Sequence, residues 1–249
     1  MKARALHDIL QQLEDAAVQA GRQPPRLLAV SKTQPAMAVA ELAAAGQREF
    51  GENYVQEARA KQLELSELAI GVDPQVDAST LQWHLIGHLQ SNKARDAAEL
   101  FDWVQTVDRL KLVDSLACHR ADERAPLNLL IQVNIDDEAS KHGCSPDEVM
   151  ALADAISSQP RLRLRGLMVI PTPHDDPEMR RPAFRRTREL FEALQRAHPG
   201  VDTLSMGMSD DAHVAIAEGA TMVRIGTALF GARGANKGSG AEDRGSSAA

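Results

Sequence analysis

Arg26-Leu27-Leu28-Ala29-Val30-Ser31-Lys32-Thr33 is the stretch on which the fold turns. It reads as a short apolar β-strand, Leu27–Ser31, that delivers Lys32 at its C-terminal end. An amphipathic helix over Pro35–Ala45 follows at once and carries a single charge, Glu41. Strand then helix, with almost nothing between, is one βα unit. The lysine is the odd residue in it. Desolvating an ammonium costs several kcal/mol unless the group is paired or gives up its proton. Two readings of Lys32 stand side by side. It snorkels into solvent, or it is an amine pushed toward its neutral form, whose common use is a Schiff base with a carbonyl compound.

The same unit repeats along the chain. Strands read at Glu49–Gly51, Trp83–Ile86, Trp103–Thr106, Leu129–Ile135, Leu164–Ile170, Thr203–Met206 and Met222–Ile225. Helices fill the intervals at Tyr54–Leu68, Lys93–Leu100, Leu110–Ala121, Pro146–Ser157, Pro177–Ala197 and Asp210–Glu218, with a short one after Thr227. Strand–helix units in this number predict an α/β fold, a single-domain (β/α)8 TIM barrel. A further helix, Lys2–Ala20, precedes the barrel and is stopped by Gly21 and Pro24-Pro25. A doubly wound sheet competes, but no GxGxxG follows the first strand. Ile70–Thr80 reads as a solvated loop. The barrel is expected over residues 1–233, and Gly234–Ala249, rich in Gly, Ser and Ala, as a disordered tail. No room is left for a second folded domain.

At 249 residues, 43% of them hydrophobic and 25% charged, the chain suits one large globular domain. A formal charge of −7 argues against nucleic-acid binding. No apolar run is long enough to cross a bilayer, and the N-terminus is not patterned as a signal peptide. Cys118 and Cys144 form no CxxC or zinc-spaced cluster, so neither a disulfide framework nor a structural metal is expected. These features point to a cytoplasmic protein, and nothing suggests an obligate interface, so a monomer is expected.

In such barrels the working face is the C-terminal end of the strands, and phosphate often binds in the loops after strands seven and eight. Leu204-Ser205-Met206-Gly207-Met208-Ser209-Asp210-Asp211 and Arg224-Ile225-Gly226-Thr227 occupy those places. Gly207 permits close backbone approach, Ser209 suits an N-cap, and the N–H groups of a helix start attract anions. Ser209 or Thr227 alone would be no more than a helix cap. Together the two loops read as a divided phosphate cradle. Arg224 is a charge inside an apolar strand, and needs either a carboxylate such as Glu218 or a ligand.

Six blocks in order then resemble the pyridoxal phosphate homeostasis protein family, whose barrel is like the N-terminal barrel of fold-type III, alanine-racemase-like enzymes. They are Ala29-Val30-Ser31-Lys32-Thr33, Phe50-Gly51-Glu52-Asn53-Tyr54, Trp83-His84-Leu85-Ile86-Gly87-His88-Leu89-Gln90-Ser91-Asn92-Lys93, Arg165-Gly166-Leu167-Met168, Leu204 to Asp210, and Met222 to Thr227. The resemblance runs from about Leu27 to Gly231. It implies that Lys32 holds pyridoxal 5'-phosphate as a Schiff base, and that Ser205, Ser209, Gly226 and Thr227, with Gly207 and Met208 in the same loop, surround the phosphate. It also implies that Asn53 lines the ring and that Arg224 approaches the pyridine nitrogen. An arginine there keeps that nitrogen unprotonated and the ring a poorer electron sink. Gln34 stands where some relatives carry a second lysine.

His84, mid-strand, reads equally as a cofactor neighbour or a hydrogen-bonded core histidine. Ser91 reads as a helix N-cap more than as a ligand. Lys141 offers a second amine on the same face or is an exposed loop lysine, and the arginines from Arg180 to Arg188 read as a solvated basic face. A racemase needs an acid/base group on each face of its substrate. In racemases of this fold the resemblance places the second, a tyrosine, on a separate β-domain, whereas Tyr54 is the only tyrosine here. The expected role is therefore a non-catalytic carrier in pyridoxal phosphate homeostasis, passing the cofactor to apoenzymes. The alternatives are a small pyridoxal phosphate-dependent racemase or lyase of weak activity, using Lys32 with Tyr54 or His84, and an aldolase-type barrel acting on a sugar phosphate.

Overall fold

Short apolar runs flanked by helices can bury both faces only if the strands lie parallel with the helices outside them. The computed structural model describes residues 1–69, 77–138 and 141–231. Its strands are β1 (Arg26–Val30), β2 (Glu49–Glu52), β3 (Gln82–Leu85), β4 (Trp103–Val107), β5 (Leu127–Val133), β6 (Leu162–Val169), β7 (Thr203–Met208) and β8 (Met222–Ile225). They pair in sequence order, all parallel, and close into a barrel where Leu28 on β1 registers with Arg224 on β8. The expected (β/α)8 barrel is the observed one.

The helices are α1 (Lys2–Gln19), α2 (Ala36–Ala44), α3 (Val55–Ala69), α4 (Ala94–Leu100), α5 (Leu110–His119), α6 (Val149–Ser157), α7 (Arg181–Ala197), α8 (Ala212–Ala217) and α9 (Thr227–Phe230). The added α1 buries Leu6, Ile9, Leu13 and Ala17, one helical stripe, and packs against α8 and α9. Two predicted helices begin differently. Pro146–Glu148 and Pro177–Arg180 are 3-10 turns that precede α6 and α7. In the first, Glu148 Oε2 accepts from the Ser145 N–H and hydroxyl, a capping box that tightens the entry. The helix read over Asp210–Glu218 shrinks to α8, because Asp211 is drawn into the loop that precedes it. Within the predicted loop Ile70–Thr80, residues 70–76 lie outside the described ones. Ala78–Thr80 is a 3-10 turn capped by the Asp77 carboxylate. The tail from Gly234 also lies outside the described residues.

The main core fills the space between strands and helices, with Phe50, Phe101 and Phe184 fully enclosed. Inside the barrel the packing is mixed. Trp103, Leu130 and Met168 form a small apolar cluster, and Arg26 and Arg165 stack on the Trp103 ring with guanidinium carbons 5.0 and 4.6 Å from its centre. Beside that cluster lie the buried polar side chains of His84, Gln105, Ser205 and Arg224, with Met222 against Gln105.

Candidate functional site

Lys32 stands at the mouth of the barrel on a braced base. The chain leaves β1 at Val30, and the buried Ser31 hydroxyl donates to Glu52 Oε1 at 2.5 Å. Lys61, from α3, donates to the Ser31 carbonyl at 2.7 Å and to Glu52 Oε1 at 2.5 Å, with only 4% of its side chain exposed. A buried ion pair thus lies directly behind the candidate lysine. Burial pushes the Glu52 carboxyl above its usual value despite the Lys61 ammonium and the Ser31 hydroxyl. Thr33 then turns the chain with φ of 62°, a left-handed conformation that costs a β-branched residue on the order of 1–3 kcal/mol. Its N–H donates to Glu57, which fixes the turn. Lys32 itself is half-buried, and its ammonium has no hydrogen bond or ion pair among the described residues.

Arg224 is buried in β8, and Glu218 does not neutralise it. Glu218 is taken by Arg181, Arg185 and Arg188 from α7, at 3.2, 3.3 and 3.0 Å. The expected solvated basic face is only partly so: Arg185 and Arg186 stay more than half exposed, whereas Arg181 and Arg188 fold down onto the buried Glu218, because α7 packs over the end of α8. Arg224 donates instead to the Ser205 hydroxyl and the Val169 carbonyl, both at 2.8 Å. Burial pulls its pKa down to about 10, with the Asp211 charge opposing, so it stays a cation at neutral pH.

From Arg224 a chain of hydrogen bonds crosses the barrel. The Ser205 hydroxyl donates to Gln105 Oε1 at 2.8 Å, and Gln105 Nε2 approaches His84 Nδ1 at 2.9 Å. Gln105 Nε2 is a donor only, so His84 accepts at Nδ1 and carries its proton on Nε2. His84 is fully enclosed, stacked on Trp103 at 5.0 Å between ring centres. Burial first, then the Arg26 and Arg165 charges, hold its pKa well below the usual histidine value. His84 is thus hydrogen-bonded inside the barrel and joined to Arg224 through Gln105 and Ser205. Ser205, expected beside a phosphate, has its hydroxyl spent on Gln105 and Arg224 within the barrel.

The two loops lie at the same barrel end as Lys32. Gly207 adopts φ of 92°, and a Cβ there would stand 2.6 Å from the Ala215 side chain, so the backbone passes where only glycine fits. Ser209 is not the helix cap. Asp211 takes the N-cap position and accepts from the Met208 N–H at 2.6 Å, while Arg180 neutralises it at 2.6 Å. Gly226, not Thr227, is the N-cap of α9. The Ser209 and Thr227 hydroxyls are thereby left exposed and without partners among the described residues. Two free hydroxyls, a glycine-dependent turn and a partnerless amine at one barrel mouth suit a phosphorylated aldehyde.

The other flagged residues separate. Asn53 is half-buried and, with the 65% exposed Tyr54, lines a cavity of about 450 Å³ with His88, Gln90 and Lys93. Gln90, not Ser91, holds the N-cap position of the 3-10 turn before α4, and Ser91 meets Arg109 at 3.3 Å. Lys141 is committed elsewhere, donating to Thr172 at 2.7 Å and pairing with Glu138 at 2.9 Å. Sequence reading passed over Lys61 and Gln105. For Lys61 the signal was Glu57 four residues earlier on one helix face. For Gln105 it was a polar residue inside an apolar strand.

The family model described as alanine racemase, N-terminal domain, matches residues 5–234. A pyridoxal phosphate homeostasis protein of Pseudomonas aeruginosa is 52% identical over 233 residues, 93% of this chain and 95% of that protein. Its namesake in Escherichia coli K12 is 49% identical over 237 residues, covering 94% and 98%. Among solved structures, PipY of Synechococcus elongatus PCC7942 with pyridoxal phosphate bound aligns with TM-score 0.77 and 38% identity, over 93% of this chain and all of that one. A D-threonine aldolase from Filomicrobium marinum, 20% identical, shares the fold with TM-score 0.67, this chain covering 61% of its length. Among the described residues no helix is long and apolar enough to cross a membrane.

Proposed function

The chain belongs to the pyridoxal phosphate homeostasis protein family, and we propose on that premise that it holds pyridoxal 5'-phosphate as a Schiff base on Lys32 and hands it to apoenzymes without catalytic turnover. The observation that carries this reading is the Lys32 amine, braced at its base by Ser31, Glu52 and Lys61 and free at its tip. The bound group supplies an aldehyde that condenses with a primary amine and releases water. The chain's own residues do the holding. Lys32 offers the amine, and the Ser209 and Thr227 hydroxyls, with the backbone at Gly207 and Gly226, receive the phosphate. Asn53 flanks the ring. Arg224, a cation at neutral pH, keeps the ring nitrogen bare and limits how well the ring stores electrons.

The proposed absence of turnover rests on the two candidate groups for a second acid or base. His84, one candidate second acid or base, is sealed inside the barrel with Nδ1 on Gln105. Tyr54, the other, is 65% exposed at an open cavity, where bulk water competes for any proton it carries. A monomer working inside the cell completes the proposal.

Absorption spectra of the purified full chain, with and without added pyridoxal phosphate, test the binding. A visible imine band is expected, lost in Lys32→Ala, with borohydride-reduced adduct mapped to Lys32 by mass spectrometry. A colourless protein that takes up no cofactor overturns the reading. Exchange of the α-hydrogen of amino acids for solvent deuterium tests turnover. A flat result supports the carrier, and exchange at an enzymatic rate replaces it with a racemase or lyase.

A further inference from the structure

Three consecutive loops at the C-terminal face bring together side chains that the proposed function does not use. His88 follows β3, Asp108 follows β4 and His142 follows β5, and one ligand atom from each lies within 4.8 Å of the others. The imidazoles are stacked with centres 3.8 Å apart and planes 15° from parallel. Asp108 Oδ2 lies 3.9 Å from His88 Nδ1. The other carboxylate oxygen, Oδ1, accepts from Arg109 Nη1 at 2.5 Å, and Arg109 Nη2 is anchored on the Leu89 carbonyl at 3.0 Å. One oxygen of Asp108 is thus pinned by Arg109, and the other is turned toward His88.

The backbone that carries these groups is fixed before anything binds. The Gly87 carbonyl accepts from the Thr106 hydroxyl at 2.9 Å, and a Cβ on Gly87 would stand 2.1 Å from the Asn53 carbonyl oxygen, so the His88 loop has one path. The His142 carbonyl accepts from Gln132 Nε2 at 3.2 Å, and Cys144 is laddered to Gln132 and Asn134, both at 2.9 Å. Fixed backbone with partly exposed side chains is what a metal site needs, since only rotamers have to adjust.

We propose that His88, Asp108 and His142 bind a divalent first-row transition-metal ion, zinc foremost. Imidazole nitrogens with a carboxylate are the donors that such ions select, whereas calcium and magnesium call for all-oxygen sets. Bonds of about 2.0–2.2 Å set tetrahedral donors roughly 3.4 Å apart, so the side chains close in by about an ångström. Three protein donors leave a coordination position open. His88 also lines the cavity shared with Asn53 and Tyr54, so the occupied site borders it.

Calorimetric titration of zinc chloride into the full chain, first stripped with a chelator and free of pyridoxal phosphate, reads the site directly. A single ion per chain is expected, with affinity at least about tenfold weaker in His88→Ala, His142→Ala and Asp108→Asn. Cobalt(II) should give the visible absorption of a four- or five-coordinate ion in the natural chain and none in the His88→Ala, His142→Ala double variant. That comparison separates the site from the remaining histidines and the exposed Cys118. Zinc binding equally tight in the double variant overturns the proposal. So does failure to bind a stoichiometric ion below about millimolar zinc, the range in which a preformed three-ligand site saturates.

Discussion

Gln105 on β4 and Ser205 on β7 meet inside the barrel at 2.8 Å, although their strands are not neighbours in the sheet. The bond can only pass through the interior. It orders four side chains from β3, β4, β7 and β8 in one direction, with Arg224 donating to Ser205, Ser205 to Gln105, and Gln105 to His84. Every polar atom in that line depends on the next. Ser205→Ala leaves Gln105 Oε1 and Arg224 Nη1 without this partner in the buried interior, and should cost about 1–3 kcal/mol in urea unfolding. It should also weaken uptake of pyridoxal phosphate, because Arg224 loses its lateral support. Stability and uptake both equal to the natural chain would show the line to be incidental.

Acid should loosen the barrel through His84. Its folded pKa lies well below the ordinary 6.5, so the folded state resists a proton that the unfolded chain accepts. Stability is therefore complete above about pH 6.5 and declines as pH falls below it, at up to about 1.4 kcal/mol per pH unit. His84→Gln keeps a hydrogen-bonding side chain and removes the titration. Urea midpoints measured from pH 7.5 to 5 should fall less steeply for the variant, and parallel curves would rule out this source.

Lys61→Met should be among the harshest single changes at the site. It strips Glu52 of its counter-charge and the Ser31 carbonyl of a donor, at a cost of about 3–5 kcal/mol. Adding Glu52→Leu should return a large part of the loss, since the stranded charge goes with it. A double-mutant cycle in urea checks the coupling. Additive losses would mean that the pair does not act as a unit.

Gly207→Ala tests the loop after β7. The methyl group meets the Ala215 side chain, and φ of 92° strains any residue with a Cβ, by about 1–3 kcal/mol. Inorganic phosphate should raise the melting temperature of the natural chain, and clearly less that of the variant. Equal stabilisation by phosphate in both would move the anion site away from this loop.

The barrel was legible because apolar runs and helices alternate regularly, and the eighth strand, read over Met222–Ile225, is observed over the same residues. Lys32 and Arg224 were legible as charges out of place. Their surroundings were not. Lys61 sits in a charged helix where Glu57, four residues earlier, signals an ion pair but not its burial, and Gln105 finds its partner 100 residues away across a closed sheet. Ser209 looked like a cap because serine favours that position. Asp211, two residues later, was the stronger competitor once Arg180 arrived to neutralise it.

The opening helix has a consequence for the whole molecule. α1 rests on α8 and α9, and Ile9, Gln12 and Leu13 enclose a small hollow with Ser209, His213 and Ala228. The opening helix is therefore clamped to the segments downstream of the loops after β7 and β8. If the proposed ligand stiffens those loops on binding, reciprocity makes the linkage two-way: binding also fastens the helix, and loosening the helix weakens binding.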